Sequence, residues 1–397
     1  METNSPTRGT SPGSATAPAA GPLSGVRVLD LTRVLAGPYA TMLLADLGAD
    51  VLKVERPGTG DDTRTWGPPW FEGQATYYLS TNRNKRSICL DIRDEDDLAT
   101  LHSLASSCHV LIENFRPGTL DKYGLGYPQL AADLPHLVYC SITGFGASRG
   151  AHLSGYDLIV QAAGGLMSIT GPPGSEGTKV GVALVDVITG LHAAVGIQAA
   201  LRHRDATGEG QLVEVNLLSS LLSALTNQAT AHVLTGQVPQ AMGNNHPSIV
   251  PYQPLMTADR PLAIAAASDQ QFRIFATAIG REDLTTDERY ATNTARVAHR
   301  DTLIPELEDA LAAGSADHWF KLLTERGLPC APINDIKQAF QFADELGLDP
   351  LLSPARLGGG LNVPQVRNPI TLSRTPPTYR RDPPVLDQGQ QSAEWLP

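Results

Sequence analysis

The stretch GVRVLDLTRVLAGPYATMLLADLGADVLKVE, residues 25–55, decides the fold. Val26 to Leu31 alternates apolar side chains and reads as a strand. Gly37-Pro38 follows, with Pro at a helical first position. Met42, Leu43, Leu44 and Leu47 make an apolar stripe, and Gly48 is the residue that ends such a helix. Asp50 to Glu55 is a second strand. A strand–helix–strand unit of this size predicts a parallel α/β sheet. Strand patterns recur at Ser87–Ile92, Val110–Glu113 and Leu137–Ile142, with helical stretches between them. To about residue 145 the chain therefore reads as a doubly wound α/β layer.

Further along, the pattern predicts a helix over Thr189–His203, a turn at Thr207-Gly208-Glu209-Gly210 and a strand over Gln211–Asn216. Past about residue 230 the character changes. Leu262–Ala266 reads as a strand, and Gln270–Ala278 and Asp301–Ala312 read as helices, so a second, smaller α+β domain is expected. The segment after residue 350 is rich in Pro and Arg and has little periodicity. At the other end, 19 of the first 24 residues are Ser, Thr, Pro, Ala or Gly, a composition that builds no packed face. The expected division is a disordered tail (1–24), a large Rossmann-like domain (25–228), a small domain (229–340) and a C-terminal segment (341–397) that returns to the large domain.

The chain has 397 residues, with 30 Lys and Arg against 41 Asp and Glu, a net charge of −11. An acidic balance argues against a nucleic acid or an anionic membrane as the main partner. Uninterrupted apolar runs fall short of the roughly 20 residues a spanning helix needs. Cys89, Cys108, Cys140 and Cys330 are too scattered for a CxxC clip, so a zinc ribbon or dithiol motif is not expected and the thiols read as those of a reducing compartment. No metal site is expected.

Three motifs bear on chemistry. A dinucleotide fingerprint needs glycines clustered between the first strand and its helix. Here the turn from Thr32 to Gly37 has one, and Gly58-Thr59-Gly60 opens no helix. Gly146-Ala147-Ser148-Arg149-Gly150 fits G-x-S-x-G in letters, but no helix start follows, so it reads as a loop rather than a nucleophile elbow. Asp186 is more informative, because it interrupts the apolar run Gly181–Gly190. It either caps the helix expected from Thr189 or serves as a nucleophile or base beside local N–H groups. Arg56, Arg64, Arg83, Lys85, Arg86, Arg93, Arg116 and Lys122 gather at strand ends and turns. They form either a solvated face or, at Arg56 and Arg116, a meeting point for a phosphate-rich ligand.

Residues 25–64 closely resemble the opening of the class III CoA-transferases, a family that includes formyl-CoA transferase and the α-methylacyl-CoA racemases. The resemblance continues through NRNKRSICLDI, ENFRPGTLDKYGLGY, YCSITGFG, GYDLIVQAAGGLMSITG, the long stretch from VALVDVITG to EVNLLSS, YATNTARVAHRD and GLPCAPIN. DTRTWGPPW, TYYLSTNRNK and HPSIVPYQ look most like the members that move CoA from succinyl-CoA to glutarate. The resemblance implies a Rossmann-like large domain, a small domain and an interlocked, ring-like homodimer. It also implies CoA thioesters as substrates, with no permanently bound cofactor, and succinyl-CoA with a short dicarboxylate (glutarate or itaconate) as the reacting pair. The family's nucleophilic Asp falls on Asp186, which would form an aspartyl–acyl anhydride and then an aspartyl–CoA thioester. CoA contacts carry over onto Leu35, Ala36, Arg56, Leu90, Asp91, Ile92, Arg93, Asn114, Phe115, Arg116, Lys122 and Tyr156. Formyl-CoA transferase has Gln where Leu35 stands. Racemases of the family have His where Tyr156 stands, which counts against a racemase, although an acyl-CoA racemase and a non-catalytic CoA-binding protein remain the alternatives. The glycine-rich loop of the small domain maps onto Gly243–Ser248, where His246 and Ser248 are candidates for reading the distal carboxylate of a dicarboxylic acyl group. The alternative is a stiffer loop with no substrate contact. The C-terminal stretch from Pro383 departs from the helix that relatives have there. By resemblance the compartment is mitochondrial, with cytoplasmic as the alternative.

Overall fold

The computed structural model describes residues 21–352, 362–386 and 393–396. The chain divides into two compact units, one drawn from 1–155, 185–220 and 351–397 and the other from 156–184 and 221–350. The sequence boundaries divide it differently, since 156–184, 221–228 and 341–350 all group with the second unit. Most of the tail expected to be disordered lies outside the described residues, but its last four positions are ordered. Leu23 N–H donates to the Leu47 carbonyl at 2.9 Å, and a Cβ on Gly21 would lie 2.3 Å from the same oxygen. Residues 21–24 are therefore packed, although the composition placed them in the tail.

The first unit is built on six parallel strands: β1 (Arg27–Asp30), β2 (Asp50–Glu55), β3 (Lys85–Cys89), β4 (Val110–Glu113), β5 (Val138–Thr143) and β6 (Leu212–Asn216), in the order β3-β2-β1-β4-β5-β6. Leu29 lies opposite Leu52 on one side and Leu111 on the other, and all three are fully buried. Strands covered on both faces carry apolar residues on both, as Val28 and Leu29 do in β1 and Val51 and Leu52 in β2, all fully buried. β3 starts two residues before the expected Ser87, because Lys85 and Arg86 find buried carboxylates, Asp30 and Asp50, and so need no solvent. The strand order reverses between β1 and β4, and ligands of such sheets bind outside the strands' carboxyl ends at that switch.

Helix α1 (Ala36–Asp46) follows β1, with Leu35 as its first flanking residue, so Pro38 is third in the helix rather than first. Gly48, at φ +110°, ends it as expected. Helix α2 (Glu95–Ser107) is capped by the Asp94 carboxylate, which accepts from the N–H groups of Asp96 and Asp97. Helix α3 (Leu184–Thr207) begins five residues before the expected Thr189. Asp186 is therefore inside its first turn and does not cap it from outside. Val185 is fully buried and its carbonyl accepts from Thr189 Oγ1 at 2.7 Å, which extends the helix backward. By length and composition α3 could cross a bilayer. Its Ala193, Ile197, Ala200 and Leu201 face is instead buried in the protein.

The second unit has three antiparallel strands, β7 (Tyr252–Met256), β8 (Pro261–Ala265) and β9 (Cys330–Pro332), in the order β9-β8-β7. Helices α4 (Asp269–Ala278), α5 (Asn293–Ala298), α6 (Arg300–Leu311) and α7 (Ala316–Glu325) belong to it. Phe272, Phe275, Leu303, Leu307, Trp319 and Leu323 join Leu255, Leu262 and Ile264 in its core.

Candidate active site

A cavity of about 470 Å³ opens at the carboxyl ends of β1 to β4. Its wall includes Arg33 after β1, Arg56, Gly60 and Asp61 after β2, Leu90 to Arg93 after β3, and Phe115 after β4. Arg56, Leu90, Asp91, Ile92, Arg93 and Phe115 were all singled out from the sequence, and the fold brings these distant positions to one edge. Arg33, Lys53, Asp61 and Tyr123, which also line it, were missed. Lys53 carried a signal, being a charge in the middle of an otherwise apolar strand.

A closed set of charges lies beneath the cavity, and Lys53, Glu55 and Asp61 of it reach the lining. Lys53 is fully buried; its ammonium pairs with Asp61 at 2.9 Å and donates to the Thr32 carbonyl at 2.7 Å. Burial opposes the charge on Lys53, but Asp61, Asp30 and Glu55 hold its pKa above the usual lysine value. Asp61 is pulled down to about 2, the Lys53 ammonium overcoming burial. Glu55 accepts from both Arg64 Nε and Nη2 at 2.7 Å, a bidentate fork. Lys85, also fully buried, is lowered to about 8 by desolvation, which Asp30 only partly offsets. At the rim the guanidinium groups are open to solvent. Arg33 pairs with Asp62 at 3.5 Å and stacks over Phe115 at 5.1 Å. Arg56 pairs with the same Asp62, and Arg93 with Asp91 at 2.7 Å. Three planar cations on exposed, exchangeable partners can take up phosphate oxygens while the floor stays fixed.

Asn114, expected as a CoA contact, is otherwise engaged. Its Oδ1 accepts from Arg33 N–H at 3.0 Å and its Nδ2 donates to the Arg33 carbonyl at 2.7 Å. Leu35 and Ala36 are buried at the start of α1. A Cβ on Gly190 of α3 would lie 2.6 Å from the Ala36 carbonyl oxygen, so α3 docks directly on that turn. Asp186 lies one helical turn before Gly190 and is 9% exposed. A carboxylate in a first turn is favoured by the helix dipole. Arg116 is exposed, with Ser154 Oγ at 3.4 Å from its Nη2, and Lys122 is exposed. The G-x-S-x-G letters fall in a loop after β5.

Tyr156, His246 and Ser248 belong to the second unit. Tyr156 is 58% exposed and precedes a short helix, Asp157–Ala163. The His246 ring rests against Tyr252, centroids 5.0 Å apart, and its Nδ1 accepts from Ser248 N–H at 3.1 Å. Arg300 donates to the His246 carbonyl, and Asn293 Nδ2 donates to the Ser248 carbonyl at 2.8 Å. Burial and the Arg300 charge lower the His246 pKa, and an Nδ1 that accepts from Ser248 N–H leaves the proton of the neutral ring to Nε2.

The sequence profile of CoA-transferase family III matches residues 23–390. The chain belongs to that family. It is 44% identical over 382 residues to the succinate–glutarate CoA-transferase of Agrobacterium fabrum, covering 93% of this chain and 94% of the relative. It is 42% identical over 370 residues to the succinyl-CoA:glutarate CoA-transferase of Mus musculus, covering 92% and 84%. A crystal structure of a CAIB/BAIF family protein from Brucella suis superposes with a TM-score of 0.82 at 42% identity, covering 93% of this chain and 97% of that one. This CoA-transferase is thus an enzyme that acts on CoA thioesters, and the resemblance read from the sequence holds. The cavity at the strand ends has the place and charge such a nucleotide-bearing substrate needs.

Proposed function

We propose that this enzyme moves CoA from succinyl-CoA to a short dicarboxylate, glutarate or itaconate, with Asp186 as the nucleophile. The observation that carries the reading is a nearly buried carboxylate in the first turn of α3, whose helix is packed against the turn after β1. The Asp186 carboxylate attacks the succinyl thioester carbonyl. The C–S bond breaks, giving an aspartyl–succinyl anhydride and CoA thiolate. The thiolate attacks the aspartyl carbonyl, forming an aspartyl–CoA thioester and releasing succinate. The acceptor carboxylate attacks that thioester, expelling the thiolate and forming a second anhydride. The thiolate then attacks the acceptor's acyl carbon, releasing the new CoA thioester and free Asp186. Each step exchanges one acyl bond for another, so no ATP is needed, and burial of Asp186 protects the anhydrides from water.

In this reading the rim of Arg33, Arg56 and Arg93 holds the CoA phosphates, and Leu35, Ala36, Leu90 to Ile92, Phe115, Arg116, Lys122 and Tyr156 stay assigned to CoA. His246, as a neutral Nε2–H donor, and Ser248 read the distal carboxylate. Two chains act as an interlocked homodimer. The murine and bacterial relatives match about equally, so the mitochondrial assignment stands beside a cytoplasmic one. The test is incubation with succinyl-CoA and a panel of acids, with new thioesters read by mass detection. Glutaryl-CoA or itaconyl-CoA is expected, and Asp186→Ala should abolish it. No new thioester from any dicarboxylate, beside α-proton exchange in a branched acyl-CoA, would replace this reading with a racemase.

A further inference from the structure

Val34 has φ +72°, in the left-handed region that a β-branched residue rarely enters. It stands in the turn between β1 and α1. Such strain persists only where the surroundings over-determine it, and here they do. Asp30 Oδ1 accepts from Thr32 N–H at 2.9 Å, and Lys53 Nζ donates to the Thr32 carbonyl at 2.7 Å. Asn114 grips Arg33 at both its N–H (3.0 Å) and its carbonyl (2.7 Å). Asp61 Oδ1 accepts from Val34 N–H at 3.4 Å. Four side chains, two on strands β1 and β2 and two in the loops after β2 and β4, therefore fix five consecutive backbone groups.

The clamped turn leads into contacts that leave no slack. A Cβ on Gly37 would lie 2.4 Å from the Thr32 side chain, and one on Gly190 would lie 2.6 Å from the Ala36 carbonyl oxygen. Residues one turn apart on a helix share a face, so the position of Ala36 sets the position of α3 at Gly190 and, one turn earlier, at Asp186. A turn needed only to connect β1 to α1 would relax to an unstrained shape, and Gly at position 34 would supply one. Val in the left-handed region, held by Asn114 and Asp61, keeps a single shape.

We propose that Val34 and Asn114 are positioning residues that hold the start of α1 rigid so that α3 presents Asp186 at a fixed angle to the thioester. The proposal rests on Asp186 being the nucleophile. It assigns Asn114 to the turn's geometry rather than to CoA affinity. Misplacement by about 1 Å costs on the order of a hundredfold in rate, a larger effect than the loss of CoA affinity that a looser Arg33 and Leu35 would bring, since Arg56 and Arg93 still hold the phosphates.

The test compares Asn114→Ala, Val34→Gly and Asp186→Ala in the full chain. Steady-state transfer, succinyl-CoA binding by calorimetry, thermal melting and hydroxylamine trapping of the aspartyl thioester are measured on each. Asn114→Ala should lower kcat by about 10- to 100-fold and lower the trapped adduct in step, with succinyl-CoA affinity falling by much less than kcat. Val34→Gly should melt no lower than wild type, because Gly accepts φ +72° freely, and should still lose kcat. Asn114→Asp keeps the acceptor for Arg33 N–H and loses the donor, so it should fall between. If Asn114→Ala weakens CoA binding and spares kcat, or if Val34→Gly turns over normally while Asp186→Ala is dead, the positioning role is wrong. Turnover by Asp186→Ala would overturn both the nucleophile and the role built on it.

Discussion

Each unit buries cationic side chains, and the two do it for different ends. In the second unit Arg296 is fully buried. Its guanidinium donates to the Val250 and Tyr290 carbonyls and to Asp269, and lies over Phe272. One planar donor thus ties β7's approach and the segment before α5 onto α4. Its carboxylate partner is 43% exposed, so solvent shares the charge. In the first unit Asp30, Lys53, Glu55, Asp61, Arg64 and Lys85 form a set in which Lys53, Asp61, Lys85, Asp30 and Glu55 all have side chains closed to solvent. Packing does not ask for this. Well-packed apolar residues in place of a buried ion pair are often as stable or more so. The set sits under the edge of the sheet that carries the cavity and the clamped turn, where fixed backbone geometry matters more than stability.

The sharpest way to break this comparison is Lys53→Met. It leaves Asp61 buried without its cation, and removing one partner of a buried pair costs about 3–5 kcal/mol. Urea unfolding should show at least that loss, and a loss under about 1 kcal/mol would mean the set is not a closed network. Arg296→Met should cost less, about 2–3 kcal/mol, from two buried carbonyls left unpaired, since Asp269 can turn to water. If the two variants cost the same, the distinction between the units fails.

A third test uses pH. Glu113, at the end of β4, accepts from Phe115 N–H at 2.7 Å. Burial raises its pKa from the ordinary 4.5 to about 7, against the hydrogen bonds from Ser141 and Phe115. Between those values the folded chain holds a proton that the unfolded chain has lost. Stability from this group is therefore present below pH 4.5 and falls as pH rises toward 7. Glu113→Gln should remove that slope, gaining on wild type by about 3 kcal/mol across the window. Parallel pH curves for the two proteins would sink the assignment. Asp61, held at about 2, acts in a separate window: its contribution is present above 3.8 and is lost as pH falls toward 2.

What the sequence disclosed follows from how local each feature is. The alternation in Val26–Leu31 and the glycine at 48 act over a few residues, and the strands and the end of α1 fall where they predict, within three residues. The start of α3 was misplaced because Gly181 and Val182 mask the helix, and only burial of Val185 reveals it. Of the site, Arg56 was legible because ligands gather at strand ends, and Leu90 to Arg93 only through the resemblance to the family. The role of Asn114 was not, since its partner Arg33 lies 81 positions away and an asparagine's letter does not say which groups it grips. Nothing local to Val34 marks its φ. That conformation is imposed by Asp30, Lys53, Asp61 and Asn114 together, and a property set by four distant residues leaves no trace at the position that bears it.

The smallest effect expected separates floor from rim. Arg93 is 77% exposed in its side chain and pairs with Asp91, whose carboxylate it holds near 2 through its own hydrogen bonds. An exposed pair of this kind adds little to folding, being screened by water and salt. Arg93→Ala should melt as wild type does. Its effect should appear in KM for succinyl-CoA, raised severalfold with kcat unchanged, because a phosphate contact far from the reacting bond binds ground state and transition state alike. The rise should shrink as salt is added. A fall in melting temperature comparable to that of Lys53→Met would mean the rim is part of the floor's network. An unchanged KM would move the CoA phosphates away from Arg93 toward Arg33 and Arg56, whose shared partner Asp62 follows β2.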